Sequence, residues 1–291
     1  MKYQEFKPNI LLRPYIDRYF TMATDQCLDE PIELHLPPNG TSGILLQCGD
    51  FYKVSNRLHQ MDHLPKAFVM GQPSECFTVE ISGKFEIIGV RFTPAGLHHM
   101  FGLPMHELTD HGADANQLLG KSVEQIGDRL WDCPKTSNKA VHQVAQLEVY
   151  FLSHLPGSKR IIHPLDLAVD KILKSGGKVE ITRLAEHLKV SRRTLERHFY
   201  RSVGMYPKQF CQIARLNRFF KLAQSQPDFC WHDLIHTCGY YDQSHFIHNF
   251  QSFMHQTPTQ YWENFKKQDN LKKSVSFSCR GITADPAKVY Q

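Results

Sequence analysis

The chain has 291 residues, of which 41% are apolar and 22% charged, with a formal net charge of +5. That length suits two globular domains, and the composition excludes a disordered, collagenous or disulfide-scaffold protein. No run reaches the ~18–20 apolar residues of a membrane span. Met1–Phe20 carries charges throughout, so no signal peptide is read there and a cytoplasmic protein without a membrane partner is expected. The eight cysteines (Cys27, Cys48, Cys76, Cys133, Cys211, Cys230, Cys238 and Cys279) form no C-x-x-C pair and are expected to be reduced and mostly buried.

Charge is unevenly spread. Residues 158–267 hold 17 Lys and Arg against 9 Asp and Glu, residues 1–157 hold 13 against 18, and residues 268–291 hold 4 against 2. A basic half beside an acidic one is expected where only one half meets a polyanion. Charge alone leaves open a merely solvated basic surface.

Residues 1–120 read as β-rich. The apolar runs Ile44–Gln47, Ala67–Met70, Phe77–Ile81 and Phe85–Phe92 are separated by Pro37-Pro38-Asn39-Gly40, Cys48-Gly49-Asp50, Gly71-Gln72-Pro73 and Ser82-Gly83-Lys84. Short strands with tight turns predict a small barrel or sandwich. Tyr3, Phe6 and Tyr15 read as apolar anchors of the N-terminus. After Thr93-Pro94-Ala95-Gly96, helix is predicted near Leu97–Phe101, over 122–131 and over 139–155. In the last of these Val141, Val144, Leu147, Tyr150 or Phe151, and Leu155 recur at helical steps. Packing against the barrel is the plainer reading of that stripe and a dimer helix the sharper one. Pro156-Gly157-Ser158 then reads as a linker.

From Pro164 the pattern is all helix. Pro164 opens a helix to Ser175, followed by Gly176-Gly177. Thr182 is expected to cap a short helix to Leu188, with a turn at Lys189-Val190. Ser191 caps a helix to about Ser202, with Gly204 just past its end. Pro207 opens a longer helix to about Gln224. A short helix over 233–238, a turn at Gly239-Tyr240-Tyr241, an Asp242-capped helix to about Met254 and a Pro258-initiated helix through Trp262 complete the domain. The fold class expected is α+β, with a β-rich domain over 1–157, an all-α domain with two helix-turn-helix units over 158–267, and a flexible tail over 268–291.

The informative feature is a repeat. A shift of 51 lays Phe199 on Phe250, Pro207 on Pro258, Gln209 on Gln260, Leu195 on Phe246, Phe210 on Tyr261 and Ser191 on Asp242. Upstream the shift is 50, with Leu184-Ala185 on Leu234-Ile235, so the second turn is one residue longer. Each unit is a short helix, a tight turn, a capped helix and a Pro-initiated helix, the layout of a helix-turn-helix.

DNA would need the capped helix of each unit anchored from behind and polar in front. Leu195 with Phe199, and Phe246 with Phe250, can face the core. Arg193, Glu196 and Arg197 then lie outward in unit one, and Gln243, Ser244, Ile247 and His248 in unit two. Arg suits a guanine edge, Gln an adenine, and Ile a thymine methyl. Arg192 and Arg201 can hold phosphates and set register, and the helix N-termini at Ser191 and Asp242 can present N–H groups to phosphate, although Asp242 adds a repelling charge. The alternative is a pair of helical hairpins that only pack together.

Residues 164–265 resemble the DNA-binding domain of the AraC-type transcription regulators. The likeness is carried by Leu184-Ala185, Ser191-Arg192-Arg193-Thr194-Leu195-Glu196-Arg197-His198-Phe199, Gly204 and Pro207. It continues in Gly239-Tyr240-Tyr241-Asp242-Gln243-Ser244-His245-Phe246, Phe250 and Thr257-Pro258. The resemblance implies two units joined by the helix near 207–224, reading successive major-groove turns of double-stranded DNA. Ile235 stands where a small residue is usual, His255 where glycine is, and His248 where a basic residue is common. His255 is expected to remove an easy left-handed cap, and unit two to be the weaker reader. Pro37-Pro38-Asn39-Gly40, Gly89–Gly96 and Leu108-Thr109-Asp110 are similar to a cupin-like domain that precedes this module in part of the family. It implies an effector or dimerisation site, so a small-molecule effector, a second copy of the chain and RNA polymerase join DNA as expected partners. An activator role is taken, with repression left open.

Seventeen histidines invite a metal site. His98 and His99 are adjacent and diverge on a helix or strand, and His59 and His63 lack a nearby third ligand. No metal or other cofactor, and no catalysis, is therefore expected. A cupin-type metal enzyme with an appended DNA module stands as the alternative, behind it an architectural protein without sequence preference. Cys211 and Cys238 are expected to face the core as inert thiols.

Overall fold

Period-two burial and period-3.6 burial divide the chain. The structure, a computed structural model, describes residues 2–24, 26–49, 52–56, 60–61, 64–132, 138–155, 164–225 and 230–267. Strands β1 (Lys2–Phe6), β2 (Ile16–Ala23), β3 (Leu28–Leu36), β4 (Gly43–Gly49), β5 (Tyr52–Ser55), β6 (Gln60–Met61), β7 (Ala67–Met70), β8 (Phe77–Gly83) and β9 (Phe85–Phe92) come first. They are followed by α1 (Gly96–Phe101), a 3-10 turn at Met105–Glu107, β10 (Gly112–Asp114), α2 (Ala115–Leu119), α3 (Ser122–Trp131) and α4 (Lys139–Ser153). The strands form two antiparallel sheets, ordered β1-β2-β9-β4-β7-β10 and β3-β8-β5-β6.

Strand β9 shows how the layers form. Phe85 and Ile87 point between the sheets with Leu34, Val54 and Val79. Ile88, Val90 and Phe92 point the other way, against Val123, Leu147 and Phe151 of the helices. Both faces of the strand are covered, so its sequence reads as one apolar run rather than an alternation. On α4, Val144, Leu147 and Phe151 are buried against the sheet, while Val141 and Val149 remain 56% and 69% exposed.

Strands β1, β2, β3, β5, β6 and β10 go beyond the four apolar runs read from the sequence. The first two carry too many charges to stand out, because Arg18 is held between Glu5 and Asp17 by ion pairs of 2.9 and 2.7 Å. Tyr3 and Phe6, read as apolar anchors of the N-terminus, lie in β1. The Pro156-Gly157-Ser158 linker, Cys133, Cys279, His59, His63 and the tail over 268–291 lie outside the described residues.

The helical domain holds α5 (Pro164–Ser175), α6 (Ile181–His187), α7 (Arg192–Val203), α8 (Pro207–Ser225), α9 (Trp231–Thr237), α10 (Gln243–Met254) and α11 (Pro258–Lys267). Phe199 and Phe210 of unit one, Phe219 and Phe220 of α8, and Phe246 and Phe250 of unit two form one core. Helix α8 is thus the shared wall of both units. Four residues separate α6 from α7 and five separate α9 from α10, which is the longer second turn read from the repeat. Thr182 is not a cap: α6 begins at Ile181, with Glu180 at the N-cap making no side-chain cap bond. Of the described cysteines, Cys76, Cys211 and Cys238 are buried while Cys27, Cys48 and Cys230 are exposed, so burial is less general than expected. Burial pushes the thiols of Cys211 and Cys238 up to about 11, which leaves almost no thiolate at neutral pH.

The two domains touch at defined points. Thr109 Oγ1 donates to Gly204 O at 2.6 Å, just past the C-terminus of α7. Glu75 Oε2 lies 2.8 Å from Nε2 of His255, just past the C-terminus of α10. The Cys76 amide donates to Phe253 O at 2.7 Å. His99 of α1 meets Asp166 of α5 at 2.8 Å, and the His106 and Tyr200 rings meet at a tilt of 31° with centroids 4.8 Å apart.

Gly204 and His255 are equivalent positions of the repeat, and both are left-handed, with φ of +94° and +55°. Histidine therefore does not abolish the cap; it adopts the strained conformation and reaches Glu75. At Gly204 a Cβ would meet Thr109 Oγ1 at 2.5 Å and Met105 O at 3.0 Å, whereas at Gly102 (φ +73°) it would meet nothing within 4 Å. Gly204→Ala is accordingly expected to lose at least about 1 kcal/mol more stability than Gly102→Ala, which bears only the left-handed strain. Urea unfolding of the full chain measures both, and equal losses would show that the domains do not press together at this cap.

Candidate nucleic-acid interface

Helices α7 and α10 begin where sequence places them. Ser191 Oγ accepts from the Thr194 amide at 3.0 Å and Asp242 Oδ1 from the His245 amide at 2.8 Å, so each caps one orphan donor of the first turn. The preceding turns need a left-handed residue at the same repeat position, Lys189 (φ +55°) and Gly239 (φ +85°). Leu195 and Phe199, and Phe246 and Phe250, are buried as expected.

On α7, Arg193, Arg197 and Arg201 follow at four-residue steps and are exposed, so they share one face. Arg192 Nε bonds Glu196 Oε1 at 2.8 Å, with side chains 60% and 32% exposed. Glu196 is therefore occupied by its neighbour rather than held out as a free acceptor. On α10, Gln243, Ser244 and His248 are exposed, whereas Ile247 is half-buried against the core. Ile235 is fully at home in that core, 2% exposed.

Behind this exposed face the domain is tied together by polar contacts. Tyr240 OH donates to buried Asn249 at 3.0 Å, and the Arg215 guanidinium sits 5.9 Å from the Tyr240 ring centroid. Burial pushes the Tyr240 hydroxyl pKa up. Tyr241, 84% exposed at the start of α10, and Tyr206, 53% exposed, were not singled out from sequence. Their signal is the large aromatic residue in a turn beside a capped helix. No helix among the described residues is long and apolar enough to cross a membrane.

Two capped helices of one repeat, each with a polar outer face and an aromatic core behind it, define a double helix-turn-helix protein. Residues 184–264 match the family model described as a helix-turn-helix domain, and residues 4–114 match a domain of unknown function (DUF6597). Residues 184–264 are thus a helix-turn-helix domain, preceded by a domain of two antiparallel sheets. No curated protein matches the chain. Among solved structures it is similar to ToxT from Vibrio cholerae, both an apo variant and a form with an unsaturated fatty acid bound. Each is 12% identical with a TM-score of 0.46, covering 84% of this chain and 96% and 94% of theirs. It is also similar to the AraC-like transcriptional activator CuxR, at 12% identity and a TM-score of 0.26, over 77% of this chain and 94% of that one.

Each cap is expected to carry its own helix. Ser191→Ala and Asp242→Ala should each cost about 1 kcal/mol, read by urea unfolding. A cost near zero at either site would mean that the helix start is held by other contacts.

Proposed function

We propose that this chain is a sequence-specific DNA-binding transcription regulator whose two reading helices are governed from the N-terminal domain. The observation that carries the reading is the pair of exposed, side-chain-capped N-terminal turns on α7 and α10, set on one basic domain. Arg193 and Arg197 read one major-groove segment, with Arg192 and Arg201 on phosphates and Glu196 orienting Arg192. Gln243, Ser244 and His248 read a second segment about one helical turn (~34 Å) away. Ile247, shared with the core, offers at most an edge to a base. Unit one, with its three-arginine face, is the stronger reader.

Control from the N-terminal domain is supported by the places where that domain bonds, Gly204, Phe253 and His255, all at the C-terminal ends of the reading helices. It holds them from behind and leaves their N-terminal turns open. A small-molecule effector, a second copy of the chain and RNA polymerase are the further partners this role calls for, the exposed Val141 and Val149 of α4 being free for a protein contact. Among the described residues no three His, Cys, Asp or Glu come together as a metal site.

Selection from random duplexes at low salt should enrich a bipartite site, and no enrichment would overturn the proposal. Arg193→Ala with Arg197→Ala should weaken binding to that site by about 1–3 kcal/mol for each base no longer read, and relax its sequence there. Arg201→Ala should instead weaken all sequences alike and lower the salt slope by about 0.9.

A further inference from the structure

Charge separates the two units sharply. Residues 181–203 of unit one carry six Lys and Arg: Arg183, Lys189, Arg192, Arg193, Arg197 and Arg201. Residues 231–254 of unit two carry none, and hold two carboxylates, Asp233 and Asp242. A protein holds a duplex mainly by cations on its phosphates, so unit two lacks the ordinary means. What it has instead is four histidines, His232, His236, His245 and His248.

Two of these form a pair. His232 and His236 stand four residues apart on α9 and share one exposed face, while Leu234 and Ile235 between them are buried. The two Nε2 atoms are 3.2 Å apart, and the ring planes cross at 66°. At that distance only one of the facing nitrogens can carry a proton, so at least one lone pair points at the other ring. The far nitrogen of His232, Nδ1, lies 3.7 Å from Asp233 Oδ1. That carboxylate favours a proton on Nδ1 and a lone pair on Nε2. A carboxylate behind the ring is also a common support of a metal-ligating histidine.

The separation suits a shared metal ion. Zinc takes imidazole nitrogen at about 2.0–2.1 Å with tetrahedral angles, which sets two such nitrogens about 3.3–3.4 Å apart, whereas a right angle would set them at about 2.8–3.0 Å. The observed 3.2 Å lies nearer the tetrahedral value. Among the described residues no third His, Cys, Asp or Glu joins the pair. The remaining positions of an ion held there would face outward, since the His232 side chain is 78% exposed. Helix α9 is the first helix of its unit, the one that crosses the duplex backbone in a helix-turn-helix.

We propose that His232 and His236 bind a divalent cation of the zinc class through their Nε2 atoms, with water in its open positions, and that on a duplex a phosphate oxygen replaces one of those waters. The ion takes both lone pairs and releases to solvent the proton that lay between the rings. It gives unit two the positive charge that its sequence lacks. Unit one needs no such ion and has no such pair, its equivalent positions being Thr182 and Glu186. The metal site stands on the geometry of α9, and only the phosphate contact rests on the reading of the chain as a DNA-binding regulator.

The test is titration of the untagged full chain with zinc chloride, followed by calorimetry and by the imidazole nitrogen resonances. The Nε2 signals of His232 and His236 should move together and saturate at one zinc per pair. His232→Ala and His236→Ala, both at exposed positions, should each weaken this zinc about tenfold or more, because one imidazole cannot chelate. His187→Ala, exposed on α6 of unit one, should leave it unchanged. Signals of the pair that do not move at millimolar zinc, or a His236→Ala variant that binds zinc like the parent, would overturn the site. Binding to the selected bipartite duplex is measured alongside, in zinc and in EDTA. Zinc should tighten the parent severalfold and leave both variants unchanged. Zinc held by the pair without a change in duplex affinity keeps the site and removes the phosphate contact. A chain that binds zinc at the pair but selects no duplex keeps the site and removes the regulator reading.

Discussion

Helices α7 and α10 both end in a left-handed residue, and the N-terminal domain bonds to both ends. Much else in the molecule follows from that arrangement. A helix C-terminus leaves carbonyls without intrahelical partners, and a left-handed cap turns the chain away sharply enough for another domain to approach. At Gly204 the approach is so close that no side chain fits. At His255 the approach is through the side chain itself. A non-glycine residue there costs about 1–2 kcal/mol of strain, and a charge-assisted hydrogen bond in a half-buried setting returns about 1.5–3 kcal/mol. The contact with Glu75 is therefore large enough to hold the strained residue in place.

The placement of α7 and α10 is then set by parts away from their exposed N-terminal turns. Helix α8 supplies Phe219 and Phe220 to the core between the units, and the N-terminal domain grips each unit at its far end. The separation and tilt of α7 and α10 depend on both. The strands of the N-terminal domain connect to this grip through the segment between Met70 and Phe77, and through Asp110, whose carboxylate accepts from the amide and hydroxyl of Ser74 at 2.6 Å each. Asp110 itself has a positive φ of 61°, next to the Thr109 that binds Gly204.

The helical domain was legible because its signals are local. Ser191, Asp242, Pro207 and Pro258 mark helix starts by chemistry that acts within three or four residues, and the 51-residue repeat doubles each mark. The strands were less so. Strand β3 does alternate, with Ile32, Leu34 and Leu36 against Glu33 and His35, but its Pro31 and acidic flank masked it. In β1 and β2 the charges are satisfied by one another across the sheet, which no window along the chain can see. The side chains expected to face outward on α7 and α10 are exposed, except that Glu196 is bonded to Arg192 and Ile247 leans into the core. The contacts of Thr109 and Glu75 depend on residues tens of positions apart. Only the departure from glycine at His255 hinted at them, and it pointed to loss of the cap rather than to a partner.

Hydrogen exchange on the full chain, resolved at the amides of Gly204 and His255, tests the grip most directly. If the N-terminal domain holds both reading helices by their caps, these amides exchange slowly in the intact chain. Both then exchange faster when Thr109→Val and Glu75→Ala are combined, while the interior of α8 is unchanged. Cap amides that exchange at the same rate in both proteins would contradict the account.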